Sequence, residues 1–218
     1  MWAIWKKVLS LARSMQANDE HGPRERTSAA SPIDSNDAPV PFGYKATWVV
    51  VRSHDPRSVA TLLGLKDLAP CSWKSGIARA TRLDGIFVSP PVAGWVLALG
   101  KHPSAEQAGF VPYMAGLSRE FGFAAYFGTH RVVDYHAWAL AERGEVRRAF
   151  GFLGERGEFL LNRGERTLEE AKLCTGVEDL GACPDQETVL ELATAWTLDP
   201  RSLDQHAEAK GPGWFGIA

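Results

Sequence analysis

Cysteine is scarce, with three in 218 residues, at Cys71, Cys174 and Cys183, and no CxxC pair among them. An odd, widely spaced set excludes a disulfide framework and a zinc knuckle and fits a reducing compartment, so the sequence predicts a cytoplasmic protein. Cys174 and Cys183 would close a small loop only in an oxidising one. Long apolar runs are missing too; none approaches the ~20 residues of a membrane span. Charge of one sign is also lacking. With 24 Lys and Arg against 26 Asp and Glu, the net charge is -2, which leaves no cationic surplus to displace counterions from a nucleic acid. No GxSxG, GxxxxGK[ST], HExxH or Rossmann glycine pattern occurs, so no cofactor and no metal are expected.

What is present is enough for one core. Hydrophobic residues make up 45% and charged residues 23%, the balance of a globular chain long enough for one domain plus a tail. The charge is unevenly spread. Residues 151–218 hold 13 acidic and 6 basic side chains, near -7, and the first 150 residues are near +5. This polarity predicts a protein partner that is basic, met by Glu169, Glu170 and Glu187 on C-terminal helices. The alternative is that these carboxylates are simply solvated helix faces.

Residues 1–15 form a predicted amphipathic helix. At 100° per residue Trp2, Ile4, Trp5, Val8, Leu9 and Ala12 share one side, and Lys6, Lys7 and Arg13 the other. Indoles settle at the headgroup level and cations meet anionic lipid, so Trp2, Trp5, Lys6 and Lys7 are candidates for peripheral contact with the inner face of a membrane. Docking on a partner or on its own domain would use the same helix. Residues 16–41, rich in Ser, Asp, Asn and Pro, read as a disordered linker, and residues 42–218 as a single globular domain.

Within that domain residues 44–52 (YKATWVVVR) predict a strand, followed by a helix opened by Asp55 and Pro56. Residues 73–81 predict another strand, and 85–100 a pair of strands around Pro90 and Pro91. Residues 104–121 have helical spacing, kinked at Pro112. From 123 to 162, β-rich runs alternate with the turn phrases ERGE, ERGE and RGE, as in a β-meander. TLEE at Thr167 and the run 185–196 predict helices. The expected fold is α+β, a mostly antiparallel sheet of about seven strands, including the C-terminal meander, with helices packed on it.

One group of residues suggests chemistry. If THRVVDYHAW (129–138) is a single strand, His130, Asp134 and His136 share a face, with Asp134 and His136 about 7 Å apart and His130 about 13 Å from Asp134. Asp134 and His136 are therefore the catalytic candidates, as carboxylate and base of a small hydrolase or metal enzyme. Two groups do not make a zinc site, and the competing reading is a pair that satisfies itself by hydrogen bonding. Cys71, without a local nucleophile signature, reads as a buried small hydrophobe. Among the tryptophans, Trp48, Trp95 and Trp138 fall inside predicted strands and belong to the core. Trp73 and Trp214 lack periodic apolar neighbours and are the binding-surface candidates.

The phrases FVSPPVAGWVLALG, FAAYFGTHRVVDYHAWALAERGEVRRAF and TAWTLDPRSLD resemble a poorly characterised bacterial family that is similar to toxin-immunity proteins. The likeness spans residues 44–205 and leaves out the first helix and linker. It implies a non-enzymatic α+β domain that neutralises a toxin by binding it. An enzyme centred on Asp134 and His136, and a membrane-peripheral accessory protein, are the other function classes.

Overall fold

The computed structural model describes residues 37–218 except Leu83 and residues 175–183. The predicted helix over residues 1–15, with Trp2, Trp5, Lys6 and Lys7, lies outside the described residues, as does Cys183. Nine strands form one sheet: β1 Ala46–Arg52, β2 Lys66–Cys71, β3 Ile86–Val88, β4 Trp95–Gly100, β5 Phe123–His130, β6 Tyr135–Glu142, β7 Glu145–Leu153, β8 Glu158–Arg163 and β9 Gly213–Ile217. Among the described residues five α-helices accompany them: α1 Pro56–Leu62, α2 Trp73–Thr81, α3 Phe110–Phe121, α4 Leu168–Leu173 and α5 Gln186–Trp196. The strand order is β2-β9-β3-β4-β1-β5-β6-β7-β8, and every neighbouring pair is antiparallel. The fold is α+β as the sequence predicts, with nine strands in place of about seven.

The extra strands are β2 and β9. Neither KDLAPC nor GWFGI alternates cleanly, because Pro70 removes a ladder donor and Gly213 and Gly216 carry no side chain. Both glycines are required by close packing: a Cβ on Gly213 would lie 2.4 Å from the Val88 carbonyl oxygen, and one on Gly216 2.9 Å from that of Lys66. Residues 73–81 are a helix, not the strand their composition suggests. Ser72 accepts a hydrogen bond from the Ser75 amide as N-cap, and Trp73, Gly76 and Ala80 fall on its buried side at helical spacing. The helix expected from Ser104 begins only at Phe110. Pro112 then sits in the first turn, where its missing N–H has no intrahelical acceptor to lose, so no kink is needed.

Strand alternation sorts the sheet into two apolar faces. On one face a single row crosses eight strands: Phe215, Phe87, Leu99, Trp48, Phe127, Trp138, Phe150 and Asn162 are successive register partners. Trp138 stacks on Phe150 at 4.4 Å between ring centroids and Trp48 meets Phe127 at 5.3 Å, contacts worth about 0.5–1.5 kcal/mol each beyond burial. Helix α2 covers β3, β4 and β9 here, and α5 covers β5 and β6. The opposite face is lined by small side chains, Ala98, Ala124, Ala137, Ala139 and Ala149, all buried, and this lets α3 lie close on β5, β6 and β7.

Packing also reaches back before Phe42. The Asp37 carboxylate accepts from the Trp73 amide at 2.7 Å, the Asp37 carbonyl accepts from Gly211 at 2.8 Å, and Val40 and Phe42 pack on the core. Residues 37–41, expected to be linker, are therefore part of the domain.

Candidate functional site

The stretch 129–138 is a hairpin. Strand β5 ends at His130, residues 131–134 turn, and β6 starts at Tyr135. Thr129 pairs with His136 and His130 with Tyr135, so His130 and His136 project to opposite faces, not to a shared one. The two hydrophobic residues Val132 and Val133 disguise the turn as strand. Asp134 closes it in the left-handed region, at φ 52°, which aspartate tolerates better than most residues.

Asp134 and His136 do meet, 2.9 Å from Oδ1 to Nε2. A carboxylate only accepts, so Nε2 carries the proton, and Nδ1 is left facing Thr129 Oγ1 at 3.3 Å. Hydroxyl, imidazole and carboxylate thus stand in the order of a nucleophilic triad. Access is inverted, however. Thr129 is fully buried and the His136 side chain is 2% exposed, while the carboxylate of Asp134, 52% exposed, is the member that faces solvent. A nucleophile must be reachable and its orienting acid sheltered. With both ring nitrogens engaged and the hydroxyl sealed, the trio ties the hairpin together. Among the described residues no group of three or more His, Cys, Asp or Glu is placed to hold a metal ion.

The hairpin leans on Gly154, whose amide donates to the Asp134 carbonyl at 2.8 Å. A Cβ there would meet Asp134 Cγ at 2.5 Å and Cβ at 2.8 Å. Gly154→Ala is therefore expected to push Asp134 off His136 and destabilise the domain by about 1–3 kcal/mol. Loss of the Asp134–His136 contact would show as a changed His136 imidazole resonance in the NMR spectrum; an unchanged spectrum and denaturation midpoint would refute it.

On the other face a second polar cluster was not legible in the sequence. His130 Nε2 lies 3.1 Å from Thr47 Oγ1, and burial, then the charges of His136 and Lys45, push its pKa down to about 4. Tyr126 and Tyr135 hydroxyls meet at 3.2 Å, and the Ala105 amide donates to Tyr135 Oη. Nearby His102 donates from Nε2 to the Ala98 carbonyl at 2.8 Å and accepts at Nδ1 from the Tyr113 hydroxyl at 2.7 Å. Burial holds its pKa near 4, so the imidazole is neutral.

The other sequence candidates separate sharply. Trp73 is fully buried, edge-on to Phe87 at 5.5 Å, and presents no surface. Trp214 is half-buried and its ring is already covered by the Arg57 guanidinium at 4.0 Å. Glu170 is buried too. Its carboxylate takes Nε and Nη2 of Arg148, at 2.7 Å and 2.5 Å, and Arg148 Nη1 reaches Asn162 Oδ1 and the carbonyls of Arg163 and Gly164. This is a clamp between α4, β7 and β8, not a docking residue. Glu169 is half-buried in the same helix. Cys71 and Cys174 are buried free thiols, and burial raises both pKa values, that of Cys174 to about 11, so neither is an activated nucleophile.

Glu187 alone of the three glutamates is exposed, and it belongs to a larger group. Arg201 Nη1 reaches Glu187 at 3.2 Å, Nη2 reaches Glu191 at 3.0 Å, and Nε reaches Asp199 at 2.9 Å. Tyr44, 53% exposed, donates its hydroxyl to Glu187 at 2.8 Å, and that carboxylate raises the Tyr44 pKa. Helix α5 supplies two of the carboxylates one turn apart, which is why they can flank a single guanidinium.

No protein-family model matches the chain, and neither a curated protein nor a solved structure matches it.

Proposed function

We propose that this protein is a non-catalytic protein-binding domain, of the toxin-immunity kind, that docks a basic protein on the surface around Arg201. One observation carries the reading: three carboxylates, the exposed Glu187 and Glu191 and the half-buried Asp199, share one half-buried guanidinium at the surface beside an exposed tyrosine. The group keeps two uncompensated negative charges. Such a patch raises the encounter rate with a cationic partner, and a tyrosine at its edge supplies the aromatic anchor that interfaces favour. The inverted accessibility of Thr129, His136 and Asp134 gives no support to the hydrolase alternative. The membrane-peripheral reading rests wholly on residues 1–15; among the described residues no helix is long and apolar enough to cross a membrane.

The test is capture of a basic protein by the full chain from extracts of its own cells, followed by kinetics. Association should slow at least about tenfold between low and high salt, because exposed charges further apart than a Debye length of ~10 Å at 0.1 M are screened. Glu187→Lys with Glu191→Lys should lower the association rate more than it raises the dissociation rate. An association rate indifferent to salt and to charge reversal would overturn the proposal.

A further inference from the structure

Among the described residues the sheet ends in two edge strands, β2 and β8, and they are not equally guarded. Strand β2 carries Pro70 and a left-handed Asp67 at φ 51°, two devices that blunt an edge, in addition to a register shift of the kind that β8 also has. Strand β8 has no proline and no left-handed residue. It shows Phe159, 44% exposed, with Leu160 and Leu161 half-buried. Leu168 and Leu173 are the exposed apolar residues of α4, the helix that Arg148 ties to Asn162 of β8.

Glu158-Phe159-Leu160-Leu161-Asn162-Arg163 is complementary to itself. Run antiparallel to a second copy about a twofold axis between Leu160 and Leu161, it sets Glu158 opposite Arg163, Phe159 opposite Asn162, and Leu160 opposite Leu161. Opposed residues in an antiparallel pair must share a face. On an unbroken strand residues five apart point to opposite faces, and this twofold pairing would be impossible. Strand β8 is not unbroken. Against β7, Glu158 pairs with Leu153, Phe159 with Phe152, Leu161 with Gly151, Asn162 with Phe150 and Arg163 with Ala149, so Leu160 is an extra, bulged residue. The bulge brings Glu158 and Arg163 to one face and Phe159 and Asn162 to the other. Glu158 has only a loose contact with Arg156, at 3.8 Å, and the exposed Arg163 side chain makes no ion pair among the described residues.

We infer that two copies of this chain pair through their β8 edges, antiparallel, continuing the sheet across a twofold axis with Glu158 of each copy against Arg163 of the other. The bulge that permits the register also interrupts the ladder at its centre. Two short ladders and one apolar contact make a reversible dimer, with a dissociation constant on the order of micromolar.

Sedimentation equilibrium of the full chain, across about two decades of concentration around that value, tests it. A monomer–dimer equilibrium is expected. Glu158→Arg and Arg163→Glu, each placing like charges opposite twice, should weaken it at least about tenfold, and the double variant, which restores opposite charges, should recover it. All six positions of β8 are on the surface or half-buried, and an unchanged circular dichroism spectrum confirms that the variants fold. A chain that stays monomeric overturns the inference, as does a dimer indifferent to both reversals, or an edge that takes up a foreign strand while the chain alone remains monomeric.

Discussion

Acidification from about pH 6.5 to about pH 4 is expected to remove several kcal/mol of folding stability, and two histidines are the cause. His102 and His130 are both pushed down to about 4, chiefly by burial. In the unfolded chain each takes a proton near 6.5; in the folded domain each stays neutral until about 4. Between those values the unfolded state binds more protons, so stability is complete above pH 6.5 and declines as pH falls, levelling off below 4. Each histidine accounts for about 3 kcal/mol across that window. The decline should be visible already above pH 5, where ordinary carboxylates have not yet titrated. Urea denaturation at half-unit steps reads it directly. His102→Gln, which can still donate to Ala98, should lower stability at pH 7 and yet make it depend less on pH. A midpoint that stays flat from pH 7 to pH 5 would mean that these imidazoles are not held neutral.

The largest single-site loss is expected at Glu170. Glu170→Leu would leave the Arg148 guanidinium buried, without the carboxylate that takes its Nε and Nη2, at a cost of about 3–5 kcal/mol. The double variant Arg148→Met with Glu170→Leu removes both charges and should recover most of that loss, since a buried ion pair often contributes little over a well-packed apolar pair. Recovery should be incomplete, because Asn162 Oδ1 and the carbonyls of Arg163 and Gly164 would lose their donor. Chemical denaturation of the three variants gives the coupling. If Glu170→Leu alone unfolds no more easily than the native chain, the clamp contributes nothing.

Residue 170 also illustrates what the sequence could not convey. Its place in the TLEE phrase marks a helix start, and Thr167 does cap α4 by accepting from the Glu170 amide. The burial of the carboxylate depends on Arg148, which the sequence presents only as one of two arginines at the solvent-looking start of a strand. The meander and β1 were legible because alternation and turn phrases are local signals. Trp73 misled because a tryptophan followed by small polar residues lacks a visible period, while the helix is fixed by its Ser72 cap and by burial under β3. The catalytic candidates were placed on one face because RVVD has the composition of strand and the geometry of a turn; only the pairing of His130 with Tyr135 separates the histidines. The Arg201 group was invisible because its members come from residues 44, 187–191 and 199–201, and nothing local announces that they meet.

The position of β9 carries a consequence for the order of assembly. It lies inside the sheet, between β2 and β3, with Lys66 against Ile217 and Ile86 against Gly216. Strand β2 therefore has no neighbour in the sheet until residues 213–217 have been synthesised and have threaded into place. During translation the β1 and β3 to β8 portion can zip up from contacts near in sequence, while β2 waits with both sides open. Contacts this distant in sequence form late and slowly. The nascent chain is thus expected to pass through a long-lived seven-strand state, and that interval is when chaperones would find it.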